Sequence, residues 1–470
     1  MLRRNRTRAR MLTTAALVLL AAGGCSRDLS TASPVADDPW APREASDPAL
    51  VASDEGPLPA SAIEPPGGPP PVPDPVELPP AGLRTEAALD PPADDLFADQ
   101  PLRLPGGKEL VRVYYGTNRQ RSDAADGLRD PDHFYTGERG PLDFGVLEVS
   151  VPGRHTSGEI ERPRWYRFER EDAARHVVLQ RLVPVDESVL VRELRADIAR
   201  DPTRQAFVFV HGFNVSFAEA AWRTGQMKAD LEFAGPAVMY SWPSLGLPDP
   251  VSYGRDQRRA RKSRRELMRF LQTVATRCGA DRVHVIAHSM GNEVVVPALA
   301  AIRQDPSRTR PLFEELVLAA PDIDAEIFRD DIAGKLNNAA TRTTVYAADH
   351  DAALLASVAL NRTPRLGLAR GLVMADCDHP HLDLVDASPV AFRLFELGHS
   401  DYGGPLLNDV RATLAGVPTS GRRLAKHRRI ARGWTVIGGG GLREVVPAPP
   451  RPKPAAEPTL WARVSGWWPF

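Results

Sequence analysis

Five short apolar runs in the middle of the chain lack the alternation of a half-exposed strand. They cover residues 206–210, 237–241, 283–287, 315–320 and 343–348. A continuous apolar run of this length is typical of a parallel strand that is buried on both faces. Stretches with helical spacing of apolar residues separate these runs, at 217–233, 255–277, 291–303 and 324–336. Because strands alternate with helices, the sequence predicts βαβ units and an α/β fold with a doubly wound, mostly parallel sheet.

Additional strands are predicted on both sides of this region. Residues 110–117 and 144–151 alternate apolar and polar positions, and Pro152 ends the second run. Residues 382–388 are predicted as the last strand. We therefore expect one ordered domain over residues 108–418.

The chain before this domain has a different composition. Nineteen of the 45 prolines fall between residues 31 and 105, and residues 26–104 carry 15 acidic against 4 basic side chains. A segment so poor in aromatic and branched residues buries too little apolar surface to offset its ordering entropy. The sequence predicts an acidic, disordered linker over residues 26–107, with a Pro-rich recognition segment at 65–71 as the alternative.

The first 25 residues have the pattern of a signal peptide. Five arginines precede an apolar run over residues 11–22, which is too short to span a bilayer as a helix. The sequence AGGC at 22–25 resembles the lipobox of bacterial lipoproteins. The resemblance implies acylation of Cys25 and a lipid anchor, and Ser26 implies sorting to the outer membrane, facing the periplasm. The alternatives are an ordinary signal peptide and a tail in which the cysteine has no role.

Charge and cysteine content exclude several other classes of protein. The net charge of -1 argues against a nucleic-acid-binding protein, because such proteins are typically strongly basic. Three cysteines form no disulfide framework. The spacing of Cys377, His379 and His381 fits no zinc pattern. We expect neither metal nor cofactor. Residues 419–470 are predicted as a tail, first basic and then rich in Pro and Trp.

The strongest chemical signal follows the strand at 283–287. His288-Ser289-Met290-Gly291 leads directly into a helical stretch. This strand, turn and helix arrangement predicts a nucleophile elbow, in which a strained turn exposes a serine hydroxyl above the sheet. Ser289 is therefore the candidate nucleophile. The alternative is a serine that caps the helix beginning at Gly291.

A second signal follows the strand at 206–210, where the sequence is His211-Gly212-Phe213-Asn214. A glycine after a strand allows the backbone to turn an N–H towards a developing oxyanion. The N–H groups of Phe213 and Met290 are the predicted oxyanion hole. We expect His211 to shape the loop rather than transfer protons, and Asn214 is an alternative side-chain donor.

Acyl transfer also requires a base and an acid, which follow the serine in this architecture. Asp351 and Asp349 follow the strand at 343–348, and Asp351 is the preferred acid. Asp322 and Asp324, after the strand at 315–320, compete for this role. His399 follows the last strand and is the predicted base. His379 and His381 precede that strand, so we expect them at its opposite end.

Several motifs together resemble a bacterial α/β-hydrolase family called domain of unknown function 900, described as esterase- or lipase-like. They include VFVHGFNVSFAEA, YSWPS, IAHSMGNEVV, LAAPDID and YAADHDAAL, and the similarity spans roughly residues 108–415. The resemblance implies a serine hydrolase fold. In the family pattern the acid precedes an Ala-Leu pair, which implies Asp351, and the base matches His399. No settled substrate follows from the resemblance.

The sequence thus predicts a lipid-anchored serine hydrolase that cleaves a carboxylic ester of a small molecule or lipid through an acyl-enzyme. Ser289, His399 and Asp351 would form its triad. Hydrolysis of a thioester or amide by the same residues is one alternative. A non-catalytic envelope scaffold that retains the hydrolase fold is the other.

Overall fold

The structure is a computed structural model of the 470-residue chain. It describes residues 103–104, 108–123, 130–163, 169–247, 249–302, 310–349, 351–377, 379–389, 404–430 and 433–437. The predicted signal peptide and nearly all of the predicted linker lie outside these residues, as do Cys25 and His399.

Twelve strands and eight regular helices organise the described residues. The strands are β1 (Arg103–Leu104), β2 (Lys108–Arg121), β3 (Tyr135–Val151), β4 (Val178–Val185), β5 (Gln205–Val210), β6 (Ala237–Ser241), β7 (Arg282–His288), β8 (Phe313–Ala319), β9 (Ala340–Ala347), β10 (Leu382–Asp386), β11 (Leu424–Lys426) and β12 (Gly433–Val436). The helices are α1 (Glu187–Arg200), α2 (Phe217–Asp230), α3 (Pro250–Lys262), α4 (Arg264–Arg277), α5 (Gly291–Ala300), α6 (Ala352–Asn361), α7 (Ala369–Met374) and α8 (Gly404–Leu414).

The strands form one sheet in the order β11-β12-β10-β9-β8-β7-β5-β6-β2-β3-β4, and β1 pairs with β2. All pairings from β12 to β2 along this order are parallel. The other pairings, of β1, β3, β4 and β11, are antiparallel. The predicted α/β class and mostly parallel sheet are confirmed. Parallel pairing also brings the carboxyl ends of β5, β7, β8, β9 and β10 to one edge of the sheet.

Both faces of the sheet are buried, which explains the continuous apolar runs. In β5, Val208 and Val210 belong to one core, whereas Phe207 and Phe209 belong to the other. Successive strand side chains point to opposite faces, so a strand covered on both sides needs apolar residues at every position. Helices α1, α3, α4 and α5 cover the first face, and α2 and α8 cover the second.

Two predicted helices differ from the observed ones. The stretch 255–277 forms two helices that meet at Ser263, whose hydroxyl donates to the carbonyl of Arg259 and accepts from the side chain of Asn118. The helix is interrupted where Ser263 bonds to Asn118 of β2, and no local pattern signals this contact. The stretch 324–336 is irregular: a short α turn (Ala325–Ile327) continues as a π turn (Phe328–Ile332) and a 3-10 turn (Ala333–Asn338).

The sheet also extends beyond residue 418, the predicted end of the ordered domain. Strand β12 pairs in parallel with β10, and β11 pairs with β12. These strands contain only four and three residues and lie among basic side chains, so they carry little of the apolar periodicity that predicts a strand. Within the part of the chain that the structure describes, no helix is long and apolar enough to cross a membrane.

Candidate active site

Ser289 occupies the sharp turn between β7 and α5. Its backbone has a φ of 49°, in the left-handed region that a serine rarely adopts. The Ser289 N–H donates to the carbonyl of Ala319 over 3.0 Å, and its own carbonyl accepts from the side-chain amide of Asn292 over 2.9 Å. The residue at the cap position of helix α5 is Met290 rather than Ser289, and the helix has no side-chain cap. The turn is therefore held in a strained conformation by its neighbours.

Two glycines allow the loop after β5 to lie against this turn. A Cβ atom on Gly291 would lie 2.4 Å from the carbonyl oxygen of His211, and one on Gly212 would lie 2.9 Å from the Cβ atom of Ser289. Both distances are shorter than a carbon atom tolerates. The absence of a side chain at these positions therefore permits the contact between the two loops.

Two backbone N–H groups beside Ser289 have no protein acceptor among the described residues. They belong to Phe213, which follows Gly212, and to Met290, which follows the serine. The Met290 side chain is fully buried, and the Phe213 ring packs edge-on against Tyr253 with 5.3 Å between ring centres. Free donors at a serine elbow are what an oxyanion hole requires. The structure thus brings the three predicted residues together.

Asp351 lies at the carboxyl end of β9, at the edge of the sheet that carries Ser289. Its Oδ1 accepts from the N–H of Leu354 over 2.9 Å and caps helix α6. Burial raises the pKa of the Asp351 carboxyl, the helix N–H groups partly oppose this rise, and the charge of Asp322 adds to it. Asp349 is exposed, and its backbone N–H donates to the hydroxyl of Ser388.

The competing carboxylates after β8 are already engaged. Asp322 is 2% exposed and accepts from the hydroxyls of Tyr253 and Ser357, at 2.6 Å each. Asp324 accepts from the N–H groups of Glu326 and Ile327 and caps the following turn. Both oxygens of Asp322 are therefore engaged, whereas the cap of Asp324 uses its Oδ1 alone among the described residues.

The predicted base, His399, lies outside the described residues. Strand β10, which precedes it, runs parallel to β9 and ends at the same edge of the sheet. His379 and His381 lie before β10, and a ring nitrogen of His381 hydrogen-bonds to the carbonyl of Ala333 over 3.0 Å. No group of three or more His, Cys, Asp or Glu side chains suited to a metal ion occurs among the described residues.

Comparison with known families now identifies the domain. Residues 186–412, from the start of α1 almost to the end of α8, match the family described as alpha/beta hydrolase of unknown function (DUF900). These residues belong to the DUF900 family. The family resemblance inferred from the sequence is confirmed, and it identifies a hydrolase fold without naming a substrate.

Other comparisons add little to this assignment. No curated protein matches the chain. An uncharacterised protein from Capnocytophaga ochracea is similar with 12% identity and a TM-score of 0.24, over 54% of this chain and 56% of that one. A chain from a structural and mechanistic study of two prolyl endopeptidases has 11% identity and a TM-score of 0.26, over 67% of this chain and 39% of its own length. TM-scores this low establish no common fold.

Residues 211–216, between β5 and α2, carry Phe213 of the predicted oxyanion hole and are called the oxyanion loop below. This loop contacts a buried arginine from outside the segment that matches the DUF900 family. Arg119 of β2 is 2% exposed and donates to the Ser241 hydroxyl over 2.8 Å and to the carbonyls of Val215 and Ser244. Burial lowers the pKa of Arg119 to about 9. The sequence pattern does not reveal this role of Arg119, because an arginine in an alternating strand ordinarily lies on the solvent side.

The side chain of His211 packs beside Arg119 and also contacts Ser241. One ring nitrogen hydrogen-bonds to the Ser241 hydroxyl over 3.1 Å, and the ring stacks on Trp242. Burial, and then the charge of Arg119, hold the pKa of His211 well below its usual range. Asn214 adopts a left-handed φ of 58°, and its backbone N–H donates to Asp256. A neutral, fully engaged His211 fits the predicted loop-shaping role.

Proposed function

We propose that this protein is a serine hydrolase that cleaves carboxylic esters through an acyl-enzyme. The observation that carries the proposal is the strained turn of Ser289, flanked by the unpartnered N–H groups of Phe213 and Met290. A serine held in this backbone conformation beside two free donors is suited to attack a carbonyl and to stabilise the resulting oxyanion. Membership of an alpha/beta hydrolase family supports the same reaction class.

In the first half of the reaction, the Ser289 Oγ attacks the carbonyl carbon of the ester. His399 accepts the hydroxyl proton as the new C–O bond forms, and Asp351 stabilises the resulting imidazolium. The negative charge on the carbonyl oxygen is held by the N–H groups of Phe213 and Met290. When the tetrahedral intermediate collapses, the bond to the leaving alcohol breaks, and His399 returns the proton to that alcohol.

In the second half, water replaces the alcohol. His399 removes a proton from the water molecule as it attacks the acyl carbon of the ester to Ser289. The same two N–H groups hold the second oxyanion. Collapse of this intermediate breaks the bond to the Ser289 Oγ, which regains its proton from His399, and the carboxylic acid leaves. The sequence of steps needs no metal or organic cofactor.

Two other readings make different predictions. Hydrolysis of a thioester or an amide would use the same residues, since the triad and the oxyanion hole act on the acyl group and do not determine which leaving group is accepted. An envelope scaffold with a hydrolase fold would instead lack a reactive serine.

A fluorophosphonate probe separates an enzyme from a scaffold. We expect the folded chain to react at Ser289: the serine oxygen bonds to phosphorus and fluoride leaves, because the base and the oxyanion hole activate that hydroxyl alone. Peptide mass spectrometry of the labelled chain would locate the adduct, with heat-denatured protein as the control. Equal labelling before and after denaturation, or an adduct elsewhere, would remove the proposed function. Rates for matched ester, thioester and amide substrates then distinguish the leaving groups.

We further propose that the hydrolase is held at a membrane by its N-terminus. Acylation of Cys25 would supply the multiple acyl chains that stable anchoring needs. Residues 26–107 would then form a tether between the anchor and the domain, with up to about 3.1 Å per residue in its extended form. The predicted location is the outer membrane, facing the periplasm, and the expected partners are an ester substrate and the membrane rather than nucleic acid.

Replacing Cys25 by serine tests the anchor. We expect Cys25→Ser to move the protein from the membrane fraction to the soluble fraction, because the residue can no longer be acylated. The kcat and KM for a short ester should not change, since the active site lies in a separate part of the chain. Fractionation with and without detergent measures this. A variant that still sediments with membranes would assign the attachment to the basic or Trp-rich C-terminal segment.

A further inference from the structure

A cluster of four buried polar side chains lies next to the nucleophile elbow. Asp322, Tyr253, Ser357 and Arg365 are between 0% and 9% exposed. The backbone N–H of Asp322 donates to the carbonyl of Ser289 over 3.3 Å. The first residue of the cluster is thus in direct contact with the turn that carries the nucleophile.

The side chain of Asp322 connects the cluster to helix α6. The Ser357 hydroxyl donates to Asp322 Oδ1 over 2.6 Å, and Ser357 lies on the helix that Asp351 caps. The Tyr253 hydroxyl donates to Asp322 Oδ2 over 2.6 Å, and its ring packs on Phe213. Asp322 therefore contacts the elbow through its backbone and α6 through its carboxylate, and Tyr253 connects the same carboxylate to Phe213.

Arg365 neutralises this carboxylate. Its Nε lies 3.1 Å from Asp322 Oδ1 and 2.9 Å from the Ser357 hydroxyl. The segment that carries Arg365 is held against the segment of Asp322 by backbone hydrogen bonds, from Leu366 to Ile323 over 2.9 Å and from Gly367 to Pro321 over 2.8 Å. A buried ion pair requires good geometry and additional hydrogen bonds to offset its desolvation, and this pair has both.

We propose that Asp322 is a positioning residue that joins the nucleophile elbow to helix α6 and thereby sets the distance between Asp351 and Ser289. This inference rests on the proposed function. Asp322 is not the acid itself, since the hydroxyls of Tyr253 and Ser357 and the Arg365 guanidinium occupy its oxygens. Effective catalysis depends on the alignment of the reacting groups, and a displacement of about 1 Å lowers the rate by as much as 10²-fold.

Two mild substitutions test this link. Ser357→Ala and Tyr253→Phe each remove one hydroxyl from Asp322 and preserve the ion pair. We expect each to lower kcat for a short p-nitrophenyl ester about tenfold, with KM nearly unchanged, because the triad is misaligned while the binding surface is retained.

The control is Tyr346→Phe on the other face of the sheet. The Tyr346 hydroxyl donates to a buried carboxylate, Asp409, over 2.7 Å and pairs with the hydroxyl of Thr413, as Tyr253 does with Asp322 and Ser357. Its removal should lower the melting temperature to a similar extent, yet leave kcat unchanged. An equal loss of kcat in this control would mean that the Tyr253 effect reflects general destabilisation, which would overturn the proposal.

The pH profile gives a readout that misfolding would not produce. Asp322→Asn removes the negative charge that contributes to the raised pKa of Asp351 and favours the imidazolium of the base. The unpaired Arg365 acts in the same direction, whereas Glu293, which also interacts with Asp322, remains. We therefore expect the acid limb of kcat/KM to move to lower pH. A folded Asp322→Asn variant with an unmoved acid limb would contradict the proposal.

The outcomes separate this inference from the proposed function. If Ser289 is dispensable for turnover, the hydrolase proposal itself fails. If Ser289 is essential but Ser357→Ala and Tyr253→Phe retain the wild-type kcat, only the positioning role of Asp322 fails. Asp322→Asn leaves Arg365 without its partner, and this change can prevent the variant from folding. In that case Ser357→Ala, Tyr253→Phe and the control Tyr346→Phe test the positioning role of Asp322.

Discussion

Replacing Ser289 by alanine is expected to lower kcat for a short p-nitrophenyl ester by a factor on the order of 10⁶, the loss typical of a missing nucleophile. The methyl group cannot form the acyl-enzyme, and only the oxyanion hole and substrate binding remain. The fold should survive, because the Ser289 hydroxyl does not cap α5 and the turn is held by backbone and Asn292 hydrogen bonds. Steady-state kinetics and thermal unfolding measure the two effects.

Ser388 offers a matched control for this experiment. It is a half-buried serine at the same edge of the sheet, and its hydroxyl accepts from the N–H of Asp349 over 3.0 Å. Ser388→Ala removes the same atom from the same region and should retain activity within about twofold, because Ser388 lies outside the proposed triad and oxyanion hole and substitutions away from buried networks usually have small effects. Undiminished turnover in Ser289→Ala, or equal loss in both variants, would end the assignment of Ser289.

The second large effect is expected at the acid. Asp351→Asn should lower kcat about 10⁴-fold, because an amide stabilises the wrong tautomer of the imidazole and cannot balance its positive charge. Asparagine is also a good helix cap, so α6 should remain intact. The substitution therefore changes the charge of the carboxylate while it preserves the capping hydrogen bond to Leu354.

Asp349→Asn is the appropriate comparison, since Asp349 lies two residues earlier and is exposed. Its loss of charge should change kcat far less. The same kinetic assay at several pH values measures both variants. If Asp349→Asn is the more damaging substitution, the acid lies earlier in the loop, and the alignment of this segment with the DUF900 pattern has to shift.

The order of the central strands and of most helices between them could be predicted because each is a local pattern. Continuous apolar runs predicted the buried strands, and the turn between β7 and α5 could be recognised from Ser289 and Gly291 with their flanking strand and helix. The left-handed φ of Ser289 follows from that turn. The break at Ser263 and the strands β11 and β12 were not predicted, because they depend on contacts with β2 and β10 rather than on periodicity.

The contacts that support the site also form only in the tertiary structure. Arg119 lies 92 residues before His211 in the chain, and their side chains approach within 3.4 Å only after β2 and β5 take their places in the sheet. In the sequence, Arg119 is one of several arginines in a strand with an alternating pattern. Its role in holding the oxyanion loop follows from burial and from acceptors on distant loops.

The sequence by itself determined the α/β class, the elbow and the set of aspartates at the strand ends. It favoured Asp351 over Asp349 as the acid but left Asp322 and Asp324 as competitors, because all four carry the same carboxylate after the end of a strand. Packing separates two of them: Tyr253, Ser357 and Arg365 converge on Asp322 from three segments of the chain, whereas among the described residues the Asp351 carboxylate is paired only with N–H groups of the helix that it caps. A carboxylate's remaining capacity to accept hydrogen bonds depends on its neighbours in space, and only the tertiary structure brings these neighbours together.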